Sequence, residues 1–80
     1  MEFQLRGRHP FERMGERHVS REQISYALEN YTITVPGNKN STGLVSRPFP
    51  DGRILKVWFV GAPPPRDGVI IKSVAWKERM

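Results

Sequence analysis

The chain has 80 residues without a cysteine, and 13 lysines and arginines against 8 acidic residues give it a formal charge of +5. We expect one domain, 1–80, with a thin core, no disulfide or thiolate metal site, and a cytoplasmic location. No stretch has the length of a signal peptide's apolar core or of a membrane span, so no membrane contact is expected. The positive charge favours polyanions or acidic proteins as partners, without choosing between them.

The N-terminal residues predict a short strand and a first helix. Phe3 and Leu5 alternate with polar residues, as in a strand, and Pro10 suits the first turn of a helix. Gly15 destabilises a helix by about 1 kcal/mol relative to alanine, so this helix is expected to be short. One of its faces would carry Phe11, Met14 and His18. Another would carry His9, Arg13 and Arg17, with Glu12 and Glu16 between them.

The second helix has the strongest local signal. Ser20 is a favoured N-cap, and Gln23 three residues later completes a capping box. Val19 before the cap and Ile24 after it match a hydrophobic staple, which fixes how the chain enters the helix. The spacing of apolar residues then predicts a single buried stripe. This stripe consists of Ile24, Ala27, Leu28 and Tyr31.

Four further strands are predicted after the helices. They are 31–35, 44–49, 54–60 and 69–76, and they are rich in β-branched and aromatic residues. Consecutive strands with short connections pair antiparallel. The expected fold is therefore α+β, in the order β-α-α-β-β-β-β, with both helices on one face of an antiparallel sheet. The core under the helices is expected to contain Leu55, Val57, Phe59, Val69 and Ile71.

A longer pattern runs through both helices. It reads His-x-x-x-Arg-Met-x-x-Arg, a short gap and Val-Ser-x-x-x-Ile-x-x-x-Leu, and its residues are His9, Arg13, Met14, Arg17, Val19, Ser20, Ile24 and Leu28. The pattern resembles the domain-of-unknown-function 4258 family, although His18 stands where that family usually has glycine or asparagine. That family is similar to the BrnT and RelE/ParE toxins. The resemblance therefore implies a RelE-like fold, with a helical pair on a curved antiparallel sheet.

The predicted sheet face away from the helices combines cations with aromatic and aliphatic side chains. Strict alternation places there Lys56, Trp58, Lys72 and Trp76, with Ile54, Val60, Ile70 and Val74 among them. Lysines beside indoles suit single-stranded RNA, whose phosphates need cations and whose bases need flat apolar surfaces. The aliphatic side chains also suit a second core, a homodimer seam or a groove for a partner helix.

The candidate catalytic groups are cations near the Asp51–Gly52 turn, together with a histidine. In RelE-like ribonucleases, cations on the sheet stabilise the charge that develops on the phosphate, and the resemblance implies the same role here. The cations concerned are Arg47, Arg53, Lys56 and Lys72. His9 is the candidate for moving a proton, because histidine titrates near neutrality.

RNA binding is assigned to a second set of residues. This set consists of Trp58, Trp76, Arg13, Arg17 and Lys77. Structural explanations exist for both sets: a solvated hairpin, a histidine that begins a helix, and an ordinary salt-bridged helix face.

The resemblance implies a toxin-like, metal-independent endoribonuclease of a toxin–antitoxin pair. In that reaction the 2′-hydroxyl attacks the phosphate in line, and an acidic or amphipathic antitoxin covers the same sheet face. The alternative is a non-catalytic domain that binds a protein or forms a homodimer. The sequence has no phosphate-binding glycine loop, nucleophile elbow or metal-ligand spacing, so no cofactor is expected.

Overall fold

The structure, a computed structural model, describes residues 2–36, 43–61 and 64–77. In chain order its elements are β1 (Phe3–Leu5), α1 (Arg8–Arg17), α2 (Arg21–Asn30), β2 (Ile33–Val35), β3 (Gly43–Pro48), β4 (Ile54–Val60) and β5 (Val69–Lys77). These elements confirm the predicted α+β class. Neither helix in the described part of the chain is long and apolar enough to cross a membrane.

The five strands form one mixed sheet in the order β1-β5-β4-β3-β2. β2, β3, β4 and β5 pair antiparallel with their neighbours, as expected for consecutive strands. β1 instead pairs parallel with β5, so the prediction of an entirely antiparallel sheet is wrong at this edge. The rule for consecutive strands does not apply to β1 and β5, because the two helices and three strands separate them in the chain.

Helix α2 covers the centre of the sheet. Its N-terminus has the predicted capping box, in which Ser20 Oγ accepts from the Gln23 N–H and the Gln23 side chain accepts from the Ser20 N–H. Three members of the predicted stripe are fully buried. They pack on one face of β3, β4 and β5, and the side chains on both sides of this core are Ile24, Ala27, Leu28, Val45, Leu55, Val57, Phe59, Ile71 and Val74. The predicted core residues of β4 and β5 are confirmed.

Helix α1 packs on β5, and the residues of its predicted apolar face differ in burial. Pro10 is buried and Met14 packs against the core, whereas Phe11 is 56% exposed and His18 is exposed as well. Of the three residues that the sequence places on one face, only Met14 packs against the core. The helix ends at Arg17, so His18 does not continue its face.

The corner between the two helices is closed by backbone hydrogen bonds. His18 adopts a left-handed conformation, with φ 54° and ψ 50°, and its N–H donates to the Met14 carbonyl. The Val19 N–H donates to the same oxygen at 2.9 Å, and the Val19 and Met14 side chains both join the core. The Val19 bond is the 6→1 bond of a Schellman motif, and the His18 bond is the 5→1 bond of the simpler αL motif. Glycine is the usual left-handed residue at this position, and histidine replaces it here.

A β-bulge in β5 changes which face its second half presents. Trp58 of β4 pairs with Ser73 and Phe59 pairs with Ile71, so Lys72 opposes no residue of β4. Because the extra residue reverses the alternation, Val74 is fully buried beneath the helices. The placement of Val74 on the outer face, which strict alternation predicted, is wrong.

Gly43 allows β3 and β4 to approach closely under the core. It pairs with Phe59, and a Cβ atom on Gly43 would overlap the Phe59 ring. The ring is fully buried, so a Cβ on Gly43 would force it to shift within the core. Gly15 of α1 gives the opposite case, because no atom lies within 4 Å of the place that its Cβ would occupy.

The same glycine-to-alanine substitution should therefore have opposite effects at these two positions. We expect Gly43→Ala to lower the free energy of unfolding by about 1–3 kcal/mol, since it forces the buried Phe59 ring to shift. Gly15→Ala should raise that free energy by about 1 kcal/mol, because alanine favours the helix. Urea denaturation followed by circular dichroism measures both, and equal effects of the two substitutions would contradict the described packing.

Candidate functional site

One face of the sheet carries neither helix in the part of the chain that the structure describes. The buried residues of α2 join the core on the opposite face, and Met14 of α1 packs against that core. We call the uncovered side the open face. From the strand pairing and alternation, its central residues are Ile33, Val35, Leu44, Ser46, Ile54, Lys56, Trp58, Val60, Ile70, Ser73, Ala75 and Lys77.

The open face is mainly apolar. Three of its aliphatic side chains are largely exposed: Ile33 at 57%, Val35 at 39% and Val60 at 42%. Leu44 pairs with Val35 on one side and with Trp58 on the other. Leu44 and Trp58 are both half-buried by their neighbours. An apolar area that extends across several strands is more typical of a binding surface than of scattered surface residues.

The charges that the described residues place on the open face are all positive. Lys56 lies between Ser46 and Ala75, and Lys77 pairs with Ile54. Within residues 2–36, 43–61 and 64–77, no carboxylate lies on a strand: each is in a helix, in a turn or directly before β1. These carboxylates are Glu2, Glu12, Glu16, Glu22, Glu29, Asp51 and Asp67. A ligand on the open face therefore meets lysines that have no acidic neighbour on the strands.

Trp76 lies on the helix-covered side of the sheet, contrary to its predicted position beside Trp58. Its indole N–H donates to the Arg17 carbonyl at 2.8 Å, and its ring packs against the core. The bulge at Lys72 explains the error, since it shifts Trp76 to the same face as Val74. Of the two tryptophans assigned to RNA, the open face thus contains only Trp58.

The two candidate arginines also lie on the helix side. Arg47 Nη1 donates to the Asn30 carbonyl at 3.1 Å, and its Nη2 donates to the Tyr26 hydroxyl at 3.2 Å. Because Asn30 is the last residue of α2, Arg47 satisfies a carbonyl that the helix leaves unpaired. These contacts give Arg47 a structural role that connects α2 to β3.

Arg53 lies at the end of a row of aromatic side chains that contact one another on the helix side of the sheet. Its guanidinium carbon lies 4.2 Å from the centroid of the Trp76 ring. Trp76 makes an edge contact with Phe49 at 5.3 Å, and Phe49 makes another with Tyr26 at 5.6 Å. Arg53 therefore does not share a face with Lys56, and the four predicted catalytic cations do not converge.

The remaining predicted residues are also distributed over separate surfaces. Lys72 is exposed at the bulge, and Arg13 forms a salt bridge of 2.6 Å with Glu16. Arg17 Nη1 donates to the Val74 carbonyl at 2.6 Å, which attaches α1 to β5. His9 is exposed in the first turn of α1. The catalytic roles of Lys72 and His9 and the RNA-binding roles of Arg13 and Arg17 stay predictions.

Among the described residues, no group of three or more His, Asp or Glu side chains is placed to hold a metal ion.

Two residues of the open face, Ile33 and Val35, were not among the residues predicted for this face. The alternation in 31–35 places Ile33 and Val35 on one side of the strand. Which side of the sheet that is follows only from the pairing of β2 at the edge, and the sequence does not contain that pairing.

Asp51 and Arg53 form an ion pair in the turn before β4. Asp51 Oδ1 accepts from the Arg53 backbone N–H at 2.9 Å, and Oδ2 accepts from the Arg53 Nε at 2.7 Å. The backbone hydrogen bond first, and then the side-chain hydrogen bond, lower the pKa of Asp51 below its ordinary value. A lowered pKa stabilises the fold above the unfolded-state pKa, and this contribution disappears as the pH falls through the folded-state value.

We expect Arg53→Gln to raise the pKa of Asp51 only part of the way to its ordinary value. The substitution removes the guanidinium but keeps the backbone N–H, which is the larger cause of the shift. Carbon-13 NMR titration of the Asp51 carboxyl measures this directly. Arg66→Gln, in a different turn, is the matched control and should leave the pKa of Asp51 unchanged. A complete return to the ordinary value in Arg53→Gln would show that the side chain alone causes the shift.

Comparison with known proteins adds no relative. A scan against models of protein families, a search of curated proteins and a search of solved structures each found no match. The resemblance to the domain-of-unknown-function 4258 family and to RelE-like toxins stays a hypothesis. The geometry of the open face is accordingly the main guide to function.

Proposed function

We propose that this chain is a non-catalytic protein-binding domain whose open face binds an acidic, amphipathic segment of another protein. The observation that carries the proposal is the composition of that face in the described residues: exposed aliphatic side chains and Trp58 lie beside lysines, without a carboxylate. An amphipathic segment has an apolar stripe that can contact the aliphatic side chains and Trp58, and acidic flanks that can pair with the lysines. An antitoxin-like protein, which the resemblance implies, belongs to this partner class.

The apolar area supports a protein partner over RNA. A stacking platform needs flat rings and cations, and Trp58 is the one ring on the described open face. Most of the remaining side chains there are aliphatic, and they gain more from contact with leucine or isoleucine than from contact with phosphate. Burial of such side chains contributes about 25 cal/mol per Å² before the costs of association.

The charge distribution supports an acidic partner over a second copy stacked on the same face. Face-to-face stacking of two copies would bring Lys56 and Lys77 toward the lysines of the other copy, with no strand carboxylate to pair with them. Like charges that meet across an interface cost several kcal/mol. Glutamates on a partner segment remove this repulsion and replace it with attraction.

Trp58 can report on the occupant of the open face once Trp76 is replaced by phenylalanine. We expect a designed peptide with leucines on one helical face and glutamates on its flanks to shift Trp58 fluorescence to shorter wavelength. The same peptide with lysines in place of the glutamates should bind at least about tenfold more weakly, since 1.4 kcal/mol corresponds to tenfold. Circular dichroism verifies that Trp76→Phe folds.

Two variants at exposed apolar positions test the location. Val60→Asp, on the open face, should weaken binding of the acidic peptide, whereas Phe11→Asp, on α1, should leave it unchanged. Equal weakening by both variants would place the partner elsewhere. A shift of Trp58 by a single-stranded oligoribonucleotide but not by the peptide would overturn the proposal in favour of RNA binding. RNA cleavage that Lys56→Ala and Lys72→Ala abolish would do so in favour of a ribonuclease.

A further inference from the structure

The two edges of the sheet differ in how they are protected. β1 forms one edge and is followed by Arg6, while Arg21 lies over the ring of Phe3 at 4.7 Å. Beyond β1, Arg17 donates to the Val74 carbonyl of β5, and α1 packs on that strand. Charged side chains and a covering helix are the usual means by which proteins prevent unwanted pairing of an edge strand.

The edge at β2 has no charged side chain and no covering helix in the described chain; its protections are its length of three residues and Pro36, which follows it. The segment 31–35, Tyr-Thr-Ile-Thr-Val, contains no charge, proline or glycine, and it is rich in residues that favour strands. Ile33 and Val35 are largely exposed on the open face, although they belong to this outermost strand. An uncharged strand with exposed β-branched residues is a surface that readily accepts another strand.

We propose that β2 pairs with β2 of a second copy, antiparallel and centred on Thr34, so that the two sheets join edge to edge. In this register Ile33 of one copy lies opposite Val35 of the other, and all four aliphatic side chains lie together on the open faces. A two-fold antiparallel pairing is self-complementary, because each copy presents the same strand to its partner. The inference concerns the free protein and is independent of the proposed acidic partner.

The position of the charges favours this arrangement of two copies over stacking of their open faces. Lys56 and Lys77 lie on β4 and β5, and β3 separates them from the β2 edge. In the register centred on Thr34, Ile33 lies opposite Val35 and Thr32 lies opposite Pro36, so the described residues of the new seam carry no charge. The three-residue strand is short, so the dimer is expected to be weak and its population to depend on concentration.

Edge-to-edge pairing would also extend the binding surface. The two-fold axis of an antiparallel strand pair is perpendicular to the sheet, so both open faces lie on the same side of the joined sheet. On the proposed function, such a dimer could hold two partner segments at once, and a partner with two segments would bind more tightly than each segment alone. The dimer itself is measured without any partner.

Sedimentation velocity over a dilution series tests the dimer. The unmodified protein should shift from monomer to dimer as its concentration rises, and Ile33→Lys should abolish the dimer, because it brings a charge into the seam. Val60→Lys is the matched control: it puts the same charge at an exposed aliphatic position of the open face, away from β2, and should leave the dimer unchanged. Circular dichroism of each variant establishes that it is folded.

A mixture of variants tests the register. Equal amounts of Ile33→Lys and Val35→Glu should regain at least part of the dimer that each variant loses alone, since lysine and glutamate would lie opposite each other. Amide exchange of 33–35 in the unmodified protein should slow as concentration rises. A protein that stays monomeric at its highest soluble concentration would overturn the inference. A dimer that Val60→Lys abolishes and Ile33→Lys leaves intact would also overturn it.

Discussion

The central constraint on this molecule is that two helices of ten residues each cover only one side of a five-stranded sheet. The core depends on α2, whose Ile24, Ala27 and Leu28 pack over fully buried residues of β3, β4 and β5. The described chain has no further element to place on the opposite side. A sheet whose second face still carries isoleucine, valine, leucine and tryptophan therefore presents an apolar surface to its surroundings.

The bulge at Lys72 determines the composition of both faces. It places Val74 beneath the helices and lets Trp76 reach Arg17, so the second half of β5 contributes its large side chains to the core. In exchange, the small Ser73 and Ala75 lie on the open face beside Trp58 and Lys56. One inserted residue thus strengthens the attachment of α1 and leaves Trp58 and Lys56 as the large side chains at the centre of the open face.

The features that could be predicted from the sequence are those set by neighbours in the chain. The capping box at Ser20 and the stripe of α2 are local, and the alternation in β4 identified Leu55, Val57 and Phe59 as core. The errors involve contacts between distant parts of the chain. The parallel pairing of β1 with β5 has no local signal, and neither has the hydrogen bond from Trp76 to Arg17. The bulge had a weak signal, since the adjacent polar pair Lys72 and Ser73 interrupts the apolar alternation of β5.

The cations of this chain are divided by residue type as well as by position. Arg17, Arg47 and Arg53 lie on the helix side, where their planar groups donate to carbonyls, stack on rings or pair with Asp51. The lysines of the described chain, Lys56, Lys72 and Lys77, all belong to β4 and β5. Lysine is a flexible point charge without the fixed fork that holds a phosphate in one geometry. Recognition of acidic side chains along an apolar segment needs positive charge without a fixed fork. The position of the lysines on β4 and β5 therefore suits the proposed binding at the open face.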